Sequence, residues 1–209
     1  MKRIAFVERL ALAAVAGVLL SAASLAHAEG GYAGFKLGAN LASFTGDDAD
    51  LYPDSRTGFT GGGFIGIDSG RYLGFRTDLL YTMKGGANDV VTIEIDYLEV
   101  APLLVGRYDL PNRFALRAFA GPVFGFWINA EADNRPMDID IGDIVHHFEL
   151  SGTIGAELDV QAGPYIGLVE VRYTQGGRVF EDVGIQGEPL DLKVSNRGIS
   201  VMAGLMCPF

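Results

Sequence analysis

Apolar residues recur at every second position of this chain in eight separate runs. The first sets Phe35, Leu37, Ala39 and Leu41 against Lys36, Gly38 and Asn40. The second alternates Phe59, Gly61, Gly63, Ile65 and Ile67 with Thr60, Gly62, Phe64, Gly66 and Asp68. The third places Leu73, Phe75, Thr77, Leu79, Tyr81 and Met83 opposite Gly74, Arg76, Asp78, Leu80, Thr82 and Lys84, and the fourth places Leu98, Val100, Pro102, Leu104 and Tyr108 opposite Glu99, Ala101, Leu103, Val105 and Arg107. In the fifth, the even positions from Leu116 to Ile128 oppose Arg117, Phe119, Val123 and Trp127. The sixth sets Phe148, Leu150, Ile154, Ala156, Leu158 and Val160 against Glu149, Ser151, Thr153, Glu157 and Asp159. Tyr165, Val169, Val171 and Tyr173 oppose Glu170, Arg172 and Thr174 in the seventh, and the eighth carries Ile199, Val201, Ala203, Leu205 and Cys207 before ending on Phe209. A period of two belongs to an extended strand with two unlike faces.

The connections alternate as well. Short ones fall at Gly70, Pro111 and Gly163; long ones run over residues 43–56, 130–147 and 176–194, with an intermediate one after Lys84. An even set of antiparallel strands of about ten residues, with short turns at one end and long loops at the other, is the pattern of an outer-membrane barrel. The expected fold is all-β: an eight-stranded antiparallel up-and-down transmembrane β-barrel.

Charge decides which face is which. Lys36, Arg76, Asp78, Lys84, Glu99, Arg107, Arg117, Glu157, Asp159, Glu170 and Arg172 all lie opposite the apolar stripe, with both signs present. In a soluble sandwich or barrel this polar face would meet water; in a membrane barrel it lines the interior and the apolar face meets lipid. The loop asymmetry favours the membrane. So do two sets of aromatics near strand ends, which fit interfacial girdles: Tyr72, Tyr108, Tyr165 and Phe209 at the short-turn end, and Tyr81, Phe126, Phe148 and Tyr173 at the other. An eight-stranded interior is just wide enough for side chains to fill, so a plugged lumen is expected. Its charges read as a structural network, with a proton or ion path as the alternative.

Residues 1–28 carry a secretory pattern: Lys2, Arg3 and Arg9 before an apolar run from Leu10 to Leu20, then Ala26-His27-Ala28 as a small-x-small site. Cleavage there would leave residues 29–209 as one barrel domain and change the formal charge of −10 to −12, because Lys2, Arg3, Arg9 and Glu8 leave. Such acidity argues against nucleic acid. The single cysteine, Cys207, excludes an intrachain disulfide.

Two places should disturb the register. The apolar phase changes from odd (Val91, Ile93, Ile95) to even (Leu98, Val100), which predicts a β-bulge near Tyr97. Pro102 and Pro122 call for bulges or non-pairing positions.

The segments "GFKLGANLASFTG", "LLYTMKGG", "YLEVAPLL", "FAGPVFGF" and "VEVRYTQGG" resemble, in order along the chain, strands of the PorT-like family of small bacterial outer-membrane barrels. Ala101 departs from that pattern, which usually runs straight into proline. The resemblance implies that Phe209 is the carboxyl-terminal signal read by the outer-membrane assembly machinery, and leaves room for a contribution to secretion or envelope assembly.

Other chemistry is thin. His146, His147, Glu149 and Ser151 are the candidates for a lipid-modifying site, but Glu149 and Ser151 belong to the inward face. Among the acidic loop residues, Asp138, Asp140 and Asp143 superficially suggest calcium; Gly142 and Asp143, however, stand in the reverse of the order an EF-hand turn needs. The expectation is therefore a non-enzymatic structural or interaction barrel without cofactor or metal, in contact with outer-membrane lipid and lipopolysaccharide. A narrow porin-like channel is the alternative.

Overall fold

Each alternating run forms a strand, and each strand is longer than its run. The computed structural model describes residues 30–45, 54–87, 92–134, 137–140, 148–178, 183–185, 188–190 and 195–209. The barrel strands are β1 (Gly31–Thr45), β2 (Asp54–Ser69), β3 (Leu73–Ala87), β4 (Thr92–Asp109), β5 (Phe114–Asn134), β6 (Phe148–Ala162), β7 (Tyr165–Arg178) and β8 (Ser195–Pro208). All neighbours are antiparallel, β4 pairs with β5, and β1 closes on β8 in one unbroken register from Tyr32↔Pro208 to Thr45↔Ser195. Closure leaves none of the eight barrel strands as an edge strand, which a sheet surrounded by hydrocarbon requires. No helix occurs among the described residues.

The short-turn end is tied by backbone bonds. Phe209 N–H donates to Gly31 O at 2.8 Å, and Asp68 N–H donates to Gly30 O at 3.0 Å. Between β4 and β5, Asn112 and Arg113 adopt φ of 63° and 70°. Two consecutive left-handed residues match the twist that a tight hairpin needs. Gln161 N–H donates to the Arg113 carbonyl at 2.9 Å, fastening this turn to β6.

The two faces have the polarity expected of a membrane barrel. Leu104 and Ile154 are 63% and 61% exposed, whereas Arg76 and Glu170 are fully buried. A soluble barrel would bury the leucine and expose the arginine. Here Phe35, Leu37, Phe75, Leu116, Leu150, Val169, Val201 and Leu205 belong to one outward apolar belt.

The structure corrects several details. The register does shift between Asp96 and Tyr97, but Asp96 pairs with Asn129 and Tyr97 with Trp127, so the extra residue is Ile128 of β5. β4 therefore keeps its phase, and Ile95 stays buried inside with Tyr97 instead of joining Leu98 on the outer face. Pro102 and Pro122, by contrast, do stand at non-pairing positions of the β4–β5 ladder, the second of the two expected arrangements. They occupy one register position facing each other, and the β4–β5 ladder lapses between Val100↔Phe124 and Leu104↔Ala120 with its register unchanged. Two residues without N–H thus share one gap.

Phe126 lies in the outer girdle row but is buried, because its ring packs 5.7 Å from that of Phe148. The connection over residues 130–147 is partly strand: β5 runs on to Asn134, and Met137–Asp140 pairs back against it. Asp138 and Asp140 stand on this ladder, and Asp143 lies outside the described residues. The connection over residues 176–194 holds a small hairpin, Val183–Ile185 with Glu188–Leu190.

Candidate functional site: the charged interior

Alternation aims one side chain in two into the barrel, and eight strands leave little room there. Lys36, Arg76, Asp78, Lys84, Glu99, Arg117, Glu157, Asp159, Glu170 and Arg172 are all buried inside. Arg107 has the same parity but stands at the short-turn rim with its side chain 34% exposed. The charges form three layers.

The central layer joins β1, β3, β6 and β7. Lys36 Nζ donates to Asp78 Oδ2 and Glu170 Oε2, each at 2.7 Å. Arg76 Nη1 donates to Glu157 Oε2 and its Nη2 to Glu170 Oε2, again at 2.7 Å. Its Nε lies 2.8 Å from Asp78 Oδ1 as an ion pair without hydrogen-bond alignment. Arg172 pairs with Asp78 and, at 2.8 Å, with Glu170. Three cations thus meet three carboxylates. Each ion loses its water on entering this interior, and only dense mutual pairing offsets that cost. Aromatic faces complete the coordination: Arg76 lies 4.9 Å and Arg172 5.0 Å over Phe119, and Lys36 lies 5.2 Å over Phe64. Gly155 makes room for this, since a Cβ there would stand 2.3 Å from Phe119 Cζ.

Towards the long loops, Lys84 Nζ lies 2.8 Å from Glu99 and 2.9 Å from Glu149. Asn196 Nδ2 donates to Glu149 at 2.8 Å, Ser151 Oγ also donates to it, and Thr82 Oγ1 donates to Glu99 at 3.0 Å. Between this layer and the centre is a void of about 10 Å³ lined by Asn40, Thr82, Glu99, Arg172 and Asn196. That is space for about one water.

At the short-turn end, Arg117 binds Asp159 at 2.7 Å and Asp68 at 2.9 Å, while Arg107 bridges Asp68 and Asp109, both at 2.9 Å. Beyond them opens a vestibule of about 340 Å³, walled by Tyr32, Ile166, Met206 and Phe209.

The layers use residues that sequence parity marks but charge alone does not single out. Asp68, Glu149 and Asn196 share the inward face and each completes a layer, while the inward Asn40 bonds to the Met83 carbonyl and accepts from Ser200. Ser151 and Glu149, weighed as hydrolase candidates, are engaged with each other and with Lys84; His146 and His147 lie outside the described residues. Among the described residues, no cluster of three or more metal-ligating side chains is present.

A family model described as "Outer membrane protein beta-barrel domain" matches residues 10–206. No curated protein matches the chain. Among solved structures, Neisserial surface protein A is similar at 14% identity with a TM-score of 0.58, over 87% of this chain and 98% of that one. The attachment invasion locus protein Ail of Yersinia pestis aligns at 15% identity and a TM-score of 0.47, over 85% of this chain and 99% of that one. OprG of Pseudomonas aeruginosa aligns at 11% and 0.44, over 87% and 97%. The first of these likenesses shows the shared barrel fold.

Proposed function

The chain belongs to the outer membrane protein β-barrel domain family and its place is the outer membrane; on that premise we propose that it is a plugged, non-enzymatic barrel with a structural or interaction role, displaying acidic long loops outside the cell. The central layer carries this reading. Lys36, Arg76 and Arg172 reach across the interior to Asp78, Glu157 and Glu170, all of them buried. A passing solute would have to part these pairs in a dry interior, leaving charges unpaired at a cost of several kcal/mol each.

In this reading the secretory segment is cleaved after Ala28, lipid and lipopolysaccharide surround the belt, and the assembly machinery engages the strand that ends at Phe209. The resemblance to PorT-like barrels supports a contribution to secretion or envelope assembly. Planar-bilayer recording on the purified, refolded protein tests the plug. Conductance at the baseline is expected; steady single-channel steps would overturn it in favour of the narrow channel.

A further inference from the structure

At the long-loop end, one row of the outer wall crosses β1, β8, β7 and β6, and on β1, β8 and β7 it stands just above the apolar belt. Ser43 pairs with Arg197, Arg197 with Gln175, and Gln175 with Gly152. Residues directly opposite in antiparallel strands share a face, so these four look outward together. The row beneath them is Leu41, Ile199, Tyr173 and Ile154, each 41–61% exposed. On β1, β8 and β7 the boundary between hydrocarbon and headgroups thus falls between two adjacent rows of side chains, whereas on β6 Leu150 and Phe148 carry the apolar face on beyond Gly152.

Neighbouring side chains turn the upper row into hydrogen-bond donors. Tyr173 Oη donates to Gln175 Oε1 at 2.7 Å, which occupies the amide oxygen and turns the amide NH₂ outward. Arg197 Nε donates to Ser43 Oγ at 2.9 Å, which fixes the guanidinium and leaves its terminal Nη groups outward. No carboxylate of the described residues pairs with Arg197. Arg56 differs: it stands on β2 opposite the buried Ala42 and is held by Glu94 at 2.8 Å. Gly152 adds open space beside Gln175, since nothing lies within 4 Å of where its Cβ would be.

We propose that Ser43, Gln175 and Arg197 form a lipid-phosphate site that holds a phosphate of lipid A, with an acyl chain lying over Ile154, Tyr173 and Ile199. A cation placed at the edge of hydrocarbon, with no carboxylate partner among the described residues, is matched by an anionic headgroup of the membrane. A guanidinium fork with two further donors matches a phosphate better than it matches a single carboxylate. Lipid A is chosen over a glycerophospholipid because the row lies at the long-loop end, which faces the outer leaflet. The proposal rests on the membrane reading given above.

The test uses the whole folded protein in phosphatidylcholine vesicles containing bisphosphorylated lipid A, dephosphorylated lipid A or phosphatidylglycerol. Folding is checked first by heat-modifiable migration on a gel, and bound lipid is then counted by mass spectrometry after exchange into detergent. Retention of the bisphosphorylated form is expected, falling about tenfold in Arg197→Gln and less in Arg197→Lys, which keeps the charge but loses the fork. Arg107→Gln, at the opposite rim, should retain lipid as the unaltered protein does. Equal retention with and without phosphate, equal retention of phosphatidylglycerol, or no loss in a folded Arg197→Gln protein would each overturn the proposal. A chain that never inserts into the vesicles would overturn the membrane reading itself, a result the gel separates from the others.

Discussion

At one level of the barrel, the two sides of the interior wall are made of different material. β1, β3, β6 and β7 supply Lys36, Arg76, Asp78, Glu157, Glu170 and Arg172, while β4 and β5 supply Ala101, Leu103, Val105, Phe119 and Val123. The register sets them side by side: Arg76 lies beside Leu103, and Asp78 beside Ala101. The halves touch where both Arg76 and Arg172 rest on the Phe119 ring. An ion network packed against an apolar wall is far from bulk water, so each pair is strengthened and each unpaired ion becomes costly. The greasy half is therefore part of the electrostatics of the charged half.

Removing one cation from the charged half should have the largest effect. Arg76→Leu leaves Asp78 and Glu170 with Lys36 and Arg172, and Glu157 with only its 3.8 Å pair to Arg117. Stripping one member from a buried ionic set costs about 3–5 kcal/mol. Urea unfolding of the barrel folded in detergent should show a loss of that size, and Arg76→Leu combined with Glu157→Leu should recover most of it by restoring the balance. A single variant within 1 kcal/mol of the parent would mean that water reaches the layer and that the two halves are not different in kind.

The apolar half can be probed at Phe119 with a smaller expected loss. Phe119→Leu keeps a buried hydrophobe but removes the ring face under two guanidinium groups. About 1–2 kcal/mol should be lost, part to volume and part to the cation–π contacts. The sharper reading is a double-mutant cycle with Arg76→Leu: a coupling of at least about 0.5 kcal/mol is expected because the residues touch. Additive effects would show that the wall only fills space.

Much of this division was legible in the sequence because strand parity has only two values. Once Arg76 is assigned inward, so are Asp78, Leu80 and Lys84, and every inward charge named from the sequence keeps its parity in the fold. The layers themselves were not legible. Which carboxylate meets which cation depends on the stagger between strands, as when Lys36 of β1 reaches Glu170 of β7, and no local pattern records stagger. Asp68 and Glu149 show the same limit: their parity was evident, but their partners come from β5 and β3. At Tyr97 an irregularity was foreseen and then attributed to the wrong strand. A phase change in β4 and an extra residue in β5 predict the same local mismatch; only the pairing of Asp96 with Asn129 separates them.

The smallest effect belongs to the rim, and it bears on whether burial is what separates the layers. Arg107 binds Asp68 and Asp109 at 2.9 Å, distances close to those of the central layer. Its side chain is 34% exposed at the vestibule, however, so water and salt screen both pairs. Geometry alone would make Arg107→Ala nearly as harmful as Arg76→Leu. Exposure predicts a loss of less than about 1 kcal/mol, shrinking further when the same urea titration is run at high salt. The central variant should change little with salt, because its ions are beyond the reach of the bulk. Equal losses for the two variants, with equal salt dependence, would show that pairing geometry and not dryness sets the worth of these charges.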